Sequence, residues 1–458
     1  MKPTRGRGVR SPLVSILAVV LAAAVLAGCA DQEEPKPTPT ASPSSSASAA
    51  KLTLAVIAQE EEVAAWQDVL TAYVPPQGAD AEVTVKLTTW ASPAEELTAI
   101  DNGDPLPDLF MITRSQLEGL VAAGRVQPVS DLLDAREVDF GDGYERTTLL
   151  EFSADNALQC MPWGASPQVI YYNTELIDFE KMRARGLDVP EDTDSWNFEQ
   201  FQVAAKHASR PAKGRRGFYI DPTLEGIAPW LYAANGSIFD DDSEPTTLAF
   251  SSSETNAAFD ALLPVLRQQR LTLTPEQLAE RTPVEWFRRG RLAMLVADRS
   301  LVPSLRTEPT LRWDVLPLPS IEQSATTGDG TALCMSAAAP AEQAADLLAH
   351  LISQESEQRI ASEGYLVPTS APALESDDFL QPGRLPLNAR AFSRSIRQIE
   401  WGVTRFVTPQ LSSAVQPGLD ELLHATLPDV PVTTAEMDTA GSAVWSPELV
   451  LPSATASP

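Results

Sequence analysis

Short apolar runs alternate with helically spaced ones through the chain beyond residue 50. Leu52–Ile57 is a strand-like run, and Trp66, Val69, Leu70 and Tyr73 then recur at helical spacing. Val83–Leu87 predicts a second strand, residues 93–100 a second helix, and Leu109–Ile112 a third strand leading into a helix that Gly124 is placed to stop. Such alternation predicts a parallel α/β sheet. Ligands of these sheets bind beyond the carboxyl ends of the strands, which brings Gln59, Glu60, Thr89, Trp90, Thr113 and Arg114 near any site. Further on, the pattern predicts a strand over Val169–Tyr172 and helices over Phe198–Ala208, Ala257–Leu266 and Ala341–Ile352.

The same pattern sets both ends apart. Leu13–Leu26 is apolar, follows Lys2, Arg5, Arg7 and Arg10, and falls short of the roughly 20 residues a bilayer requires, so residues 1–28 read as a signal peptide. Leu26-Ala-Gly-Cys29 resembles the bacterial lipobox, which implies cleavage before Cys29 and acylation of its thiol. Residues 29–50 are then the lipidated cysteine and a disordered tether of Pro, Ser, Thr, Ala and charged residues, and 446–458 a flexible tail. The expected location is the extracytoplasmic face of the cell membrane, held through the lipid anchor.

Roughly 400 residues remain between tether and tail, more than one core usually serves, so two domains are expected. The formal charge of −28 becomes −32 once residues 1–28 and their four basic side chains are removed, and this excludes nucleic acid as a natural partner. With Cys29 acylated, Cys160 and Cys334 are left, either as a bridge in an oxidising compartment or as two buried thiols. Catalytic signatures are missing. There is no Gly-x-Ser-x-Gly and no phosphate-cradling glycine loop, and His207, His350 and His424 lack metal-ligand spacing. The acidic runs Glu60–Glu62 and Asp240–Asp242 read as solvated faces.

Several stretches, taken in order, resemble the bacterial extracellular solute-binding proteins of family 1, the carbohydrate-type receptors of ABC importers. They are Pro107-Asp-Leu-Phe110 with Leu120–Pro128, Met161-Pro-Trp-Gly164 with Ile170-Tyr-Tyr-Asn173, and Ser195–Phe201. Trp286–Met294, Trp313–Pro319 and Gly364–Thr369 continue the order, and together these cover most of residues 51–425. The resemblance implies an α/β, two-lobe, periplasmic-binding-protein-like flytrap with discontinuous lobes and hinge crossings. One lobe would hold residues 51–162 and 332–374, the other 164–330 and 379–445.

It also implies a function and a site. A monomeric receptor would close on a small polar ligand, a carbohydrate or derivative, and deliver it to ABC permease subunits, with no cofactor, no metal and no catalysis. Ligand contacts implied are Thr113 and Arg114, then Trp163, Ala165 and Ser166 in the crossing segment, and Asp221, Thr223 and Glu225 in the second lobe, to which the place of Trp90 at a strand's carboxyl end adds that residue. Asp298, Arg299 and Trp401 complete the set; Ala297-Asp-Arg-Ser300 stands where sugar binders of the family often carry Gly-x-Trp. The implied topology also makes the two crossings neighbours, so a Cys160–Cys334 disulfide is expected. Two alternatives compete with the importer receptor: a ligand-sensing or accessory lipoprotein without a permease, and a cell-envelope hydrolase, which the missing catalytic signature disfavours.

Overall fold

The computed structural model of the chain describes residues 50–76, 83–101, 105–141 and 143–446. Residues 1–49, on which the expected signal peptide, Cys29 and tether fall, and residues 447–458 of the expected tail lie outside the described residues. Among the described residues no helix is long and apolar enough to cross a membrane.

Two sheets organise the chain. The strands are, in order, β1 (Ala50–Ile57), β2 (Val83–Trp90), β3 (Leu109–Thr113), β4 (Val126–Gln127), β5 (Ser153–Ala154), β6 (Ala157–Leu158), β7 (Cys160–Pro167), β8 (Val169–Asn173), β9 (Met294–Ala297), β10 (Trp313–Leu316) and β11 (Gly328–Ser336). The first sheet runs β2-β1-β3-β11-β4, with β7 also paired to β11. The second is β10-β8-β9, and β5 and β6 make a small separate hairpin.

The apolar pattern explains where each strand sits. β3 is buried at all five positions, whereas β2 alternates partly buried with exposed residues, as an edge strand with one wet face does. β1 and β3 are tied at their starts by Asp108, whose carboxylate accepts from the Thr53 backbone N–H and hydroxyl at 2.7 Å each. The Leu117–Ala122 helix ends in a left-handed Gly124 with φ +59°. The fully parallel sheet expected from the alternation is corrected to a mixed one. β1 pairs parallel with β2 and β3 across helical connections, but β11 returns from the second sheet antiparallel to β3, β4 and β7.

The chain leaves the first sheet by running from β7 through Gln168 directly into β8, and comes back from β10 into β11. The two crossings are hydrogen bonded to each other, Gln168 N–H to the Thr327 carbonyl at 2.9 Å and the Thr326 hydroxyl to the Gln168 carbonyl at 2.8 Å. A third segment lies alongside, with the Ala165 N–H donating to the Val367 carbonyl at 3.0 Å. Such close approach requires glycine. A Cβ on Gly328 would stand 2.7 Å from the Ser166 carbonyl oxygen and 2.9 Å from the Pro167 Cα.

Three apolar clusters fill the spaces. One packs the first sheet with helices from residues 63–72 and 341–351; another surrounds β8 with helices between residues 198 and 266 and the C-terminal helices. The third joins β8, β9 and β10 to Ala361, Val367, Leu374, Phe379, Phe392 and Ile396. Ala361, Val367 and Leu374, expected with the first lobe, thus pack with the second sheet, because their segment crosses between the two. Cys160 and Cys334 stand opposite in the β7–β11 ladder and are joined by a disulfide.

Candidate functional site

A cavity of ≈150 Å³ opens where the crossings meet the carboxyl ends of β1 and β3. Its wall comes from three sources. Gln59, Glu62, Trp66 and Met111 belong to the first sheet and the turn after β1; Trp163, Ala165, Ser166 and Thr331 lie on β7 and β11; Ser300 follows β9 of the second sheet. Tyr365 and Leu366 close it from the third crossing.

Local backbone chemistry aims these side chains. Between Pro162 and Gly164, which face Ala332 and Thr331, β7 carries one extra residue, Trp163. A bulge of this kind re-aims the extra side chain, and here the indole enters the cavity wall and packs on Trp66, ring centroids 5.0 Å apart at 33°. Glu62 is aimed by a capping box: its Oε2 accepts the Gln59 N–H at 2.9 Å, closing a 3-10 turn over Glu60–Glu62 that feeds the Val63–Ala72 helix. Glu60 and Glu61 stay exposed as a solvated run should, whereas Glu62 is 8% exposed. Burial, reinforced by the nearby carboxylates of Glu363 and Glu61, pushes its carboxyl up to about 7, against the backbone hydrogen bond from Gln59. Trp66 is buried too, and its indole Nε1 has no hydrogen-bond partner among the described residues.

The residues implied by resemblance divide sharply. Trp163, Ala165 and Ser166 line the cavity. Trp90 ends β2 opposite Ile57, its carbonyl taking the Ala58 N–H at 2.9 Å, and its ring packs against the first core rather than lining the cavity. Thr113 caps the turn after β3, its N–H donating to Gln116 at 2.7 Å. Arg114 is corrected from ligand contact to structural cation: its guanidinium is buried and spent on Glu118, two bonds at 2.8 Å, and on Glu151 at 3.1 Å.

Asp221, Thr223 and Glu225 lie elsewhere. Asp221 borders a separate, mainly apolar cavity of ≈120 Å³ within the second lobe, Thr223 caps the Leu224–Ala233 helix, and Glu225 accepts from the Ser412 hydroxyl. Asp298 is a turn residue that accepts the Ser300 N–H at 2.8 Å, and its carbonyl takes the Tyr171 hydroxyl at 2.6 Å. Arg299 is corrected as well. It is 1% exposed, donates to the Phe379 carbonyl at 2.6 Å and lies 4.1 Å from the Phe379 ring centroid, so it faces the third core and not the cleft. Trp401 is buried against Gly330, where a Cβ would come within 3.0 Å of its ring. Glu62, Trp66, Met111, Ser300, Thr331 and Tyr365 were not anticipated. Of these, Met111, Ser300 and Tyr365 lie within or beside a quoted motif, while Glu62 reads as part of a solvated acidic run and Trp66 as helix core.

Residues 72–386 match the family described as bacterial extracellular solute-binding protein. The chain belongs to that family. Solved structures of the same fold support the architecture of this solute-binding protein at low identity. The ABC substrate-binding protein Lmo0181 of Listeria monocytogenes, in complex with cycloalternan, is 18% identical, with 86% of this chain and 99% of that one covered and a TM-score of 0.66. The GacH receptor of Streptomyces glaucescens, solved unliganded and with acarbose, is 15% identical over 88% and 98% of the two chains, with a TM-score of 0.63. UgpB of Mycobacterium tuberculosis, in complex with glycerophosphocholine, is 16% identical over 86% and 98%, with a TM-score of 0.66. No curated protein sequence matches the chain.

Proposed function

We propose that this solute-binding protein is the lipid-anchored receptor of an ABC importer, capturing a small polar solute of carbohydrate type between two lobes and handing it to a permease without chemical change. The observation that carries the reading is a single cavity walled by the first sheet, by the crossings and by Ser300 beside the second sheet. A ligand there touches both halves only when they approach, so its differential affinity favours the closed state. The wall suits an amphipathic polyol. Trp66 and Trp163, packed on each other and nearly buried, border the cavity with apolar ring surface, while Gln59, Glu62, Ser166, Ser300, Thr331 and Tyr365 offer hydrogen bonds to hydroxyls. The ligands named for the related structures, cycloalternan, acarbose and glycerophosphocholine, are polar and hydroxylated or headgroup-like, which agrees with this profile. Anchoring rests on the Leu26-Ala-Gly-Cys29 segment.

The test is a thermal-shift screen of the exported protein over sugars, polyols, amino acids and peptides. A ligand at about 100 times its dissociation constant adds about 2.7 kcal/mol, a readily measured rise. Stabilisation by peptides or amino acids alone would overturn the carbohydrate assignment.

A further inference from the structure

We propose that the solute selected by this cleft carries a positively charged nitrogen on its polyol or sugar-like body. The inference rests on the receptor reading above and narrows its ligand class. Among the described residues Glu62 is the one charged side chain lining the cavity, and no Lys, Arg or His joins it there. It forms no ion pair with a basic side chain among the described residues, and its hydrogen bond comes from the neutral Gln59 N–H.

The surroundings add negative charge rather than cancel it. Glu61 and Glu363 are the neighbouring charges felt by Glu62, and the nearby Arg359 is already held by Asp68 at 2.8 Å and Glu363 at 2.6 Å. A buried carboxylate without a cation is costly, and a ligand ammonium supplies the missing partner. Trp66, Trp163 and Tyr365 line the same cavity, so three aromatic rings accompany the one carboxylate, the combination that recognises organic ammonium groups through ring quadrupole and charge together. The strongly acidic chain, −28 overall, favours the approach of such a cation further.

Binding has a proton signature. The free carboxyl titrates near 7, so an ammonium ligand that requires its ionised form displaces a proton when it binds near neutral pH.

One chemistry, an organic ammonium, has two sources: a primary amine on a sugar or a quaternary amine of the choline type. The wild-type protein is titrated calorimetrically with glucosamine against glucose and with choline against its uncharged carbon isostere 3,3-dimethylbutan-1-ol, at pH 7 in two buffers of different ionisation enthalpy. The expected result is at least one ammonium compound binding about tenfold or more tighter than its neutral counterpart, with proton release, and the pair that shows it identifies the source. In Glu62→Gln the ratio of the two affinities collapses to within about twofold, whatever change the variant makes to the binding of the neutral counterpart itself. Neutral counterparts binding as tightly, a preference that survives Glu62→Gln, or no binding by either ammonium compound overturns the inference. The wild-type comparison stands alone should the variant fold poorly. Neutral sugars that bind and compact the protein would sink the ammonium assignment and leave the receptor reading in place.

Discussion

Glu357 is fully buried, and the Ser370 hydroxyl donates to one of its carboxyl oxygens while the other has no partner among the described residues. Burial pushes this carboxyl up to about 8, against the Ser370 hydrogen bond, and Tyr144 beside it is raised as well. A folded-state value above the unfolded one means that the native protein binds the extra proton. Its contribution is therefore complete below about pH 4.5 and is lost as pH rises towards 8, an effect on the order of 3 kcal/mol between pH 5 and 8. Glu62 and Glu96, each raised to about 7 chiefly by burial, act in the same direction. The protein is accordingly expected to melt at a higher temperature at pH 5 than at pH 8. Glu357→Gln, neutral at both, should flatten that difference by raising the pH 8 melting temperature and leaving the pH 5 value near its original place. Equal slopes for the two proteins in a pH series of thermal melts would contradict the assignment.

At the scale of elements, the crossings carry both the stability and the site. The Cys160–Cys334 bridge closes a loop of 174 residues inside the β7–β11 ladder, for which chain entropy gives about 5 kcal/mol as an upper figure. Both residues sit in the first core, so the bridge fixes two strands of one sheet. The Cys160→Ala, Cys334→Ala pair should lower the denaturation midpoint substantially and leave ligand capture intact, checked by urea melts alongside calorimetry. The glycines of the crossings differ in what surrounds them. Gly328 faces backbone, so Gly328→Ala should cost about 1–3 kcal/mol, whereas Gly164 faces the Leu366 methyl at 2.6 Å and the Thr331 hydroxyl at 3.1 Å, groups able to give, and Gly164→Ala should cost less than about 1.5 kcal/mol. Urea melts ranking the two in the opposite order would refute this.

These elements also show what a sequence can disclose. β1, β3 and β8 are short runs dominated by apolar residues and were legible. β7, Cys160-Met-Pro-Trp-Gly-Ala-Ser-Pro167, contains two prolines and a glycine, and β11 opens with Gly328-Asp-Gly330, so neither has a strand's pattern; their order comes from pairing across 174 residues. Trp163, Ala165 and Ser166 were reachable because they lie in a recognisable crossing segment. Glu62 was hidden by a local turn that rotates the last residue of an acidic run inward, and Arg299 misled because charged side chains are seldom buried against aromatic rings.

At the scale of the whole molecule, the question is what a solute does to the relation between the two sheets. One ion cluster already spans elements from distant parts of the chain. Arg405 of the Trp401–Phe406 helix reaches Glu118 at 3.5 Å and Glu151 at 3.9 Å, the same carboxylates that Arg114 holds more closely. Arg114 keeps both carboxylates paired independently of Arg405. Ser300 is the wall residue beside the second sheet, facing a wall otherwise built from the first sheet and the crossings. A bound solute should draw these walls together, and small-angle scattering with a confirmed ligand should show a smaller radius of gyration than the free protein. Ser300→Trp would fill the cavity from the second-sheet side, against a wall that includes Trp66 and Trp163 of the first core. It should abolish ligand binding and remove the compaction while leaving the thermal midpoint of the free protein within a few degrees, since most substitutions outside a packed core cost little. An unchanged radius of gyration in wild type at saturating ligand, or undiminished compaction in the variant, would count against closure about this cleft.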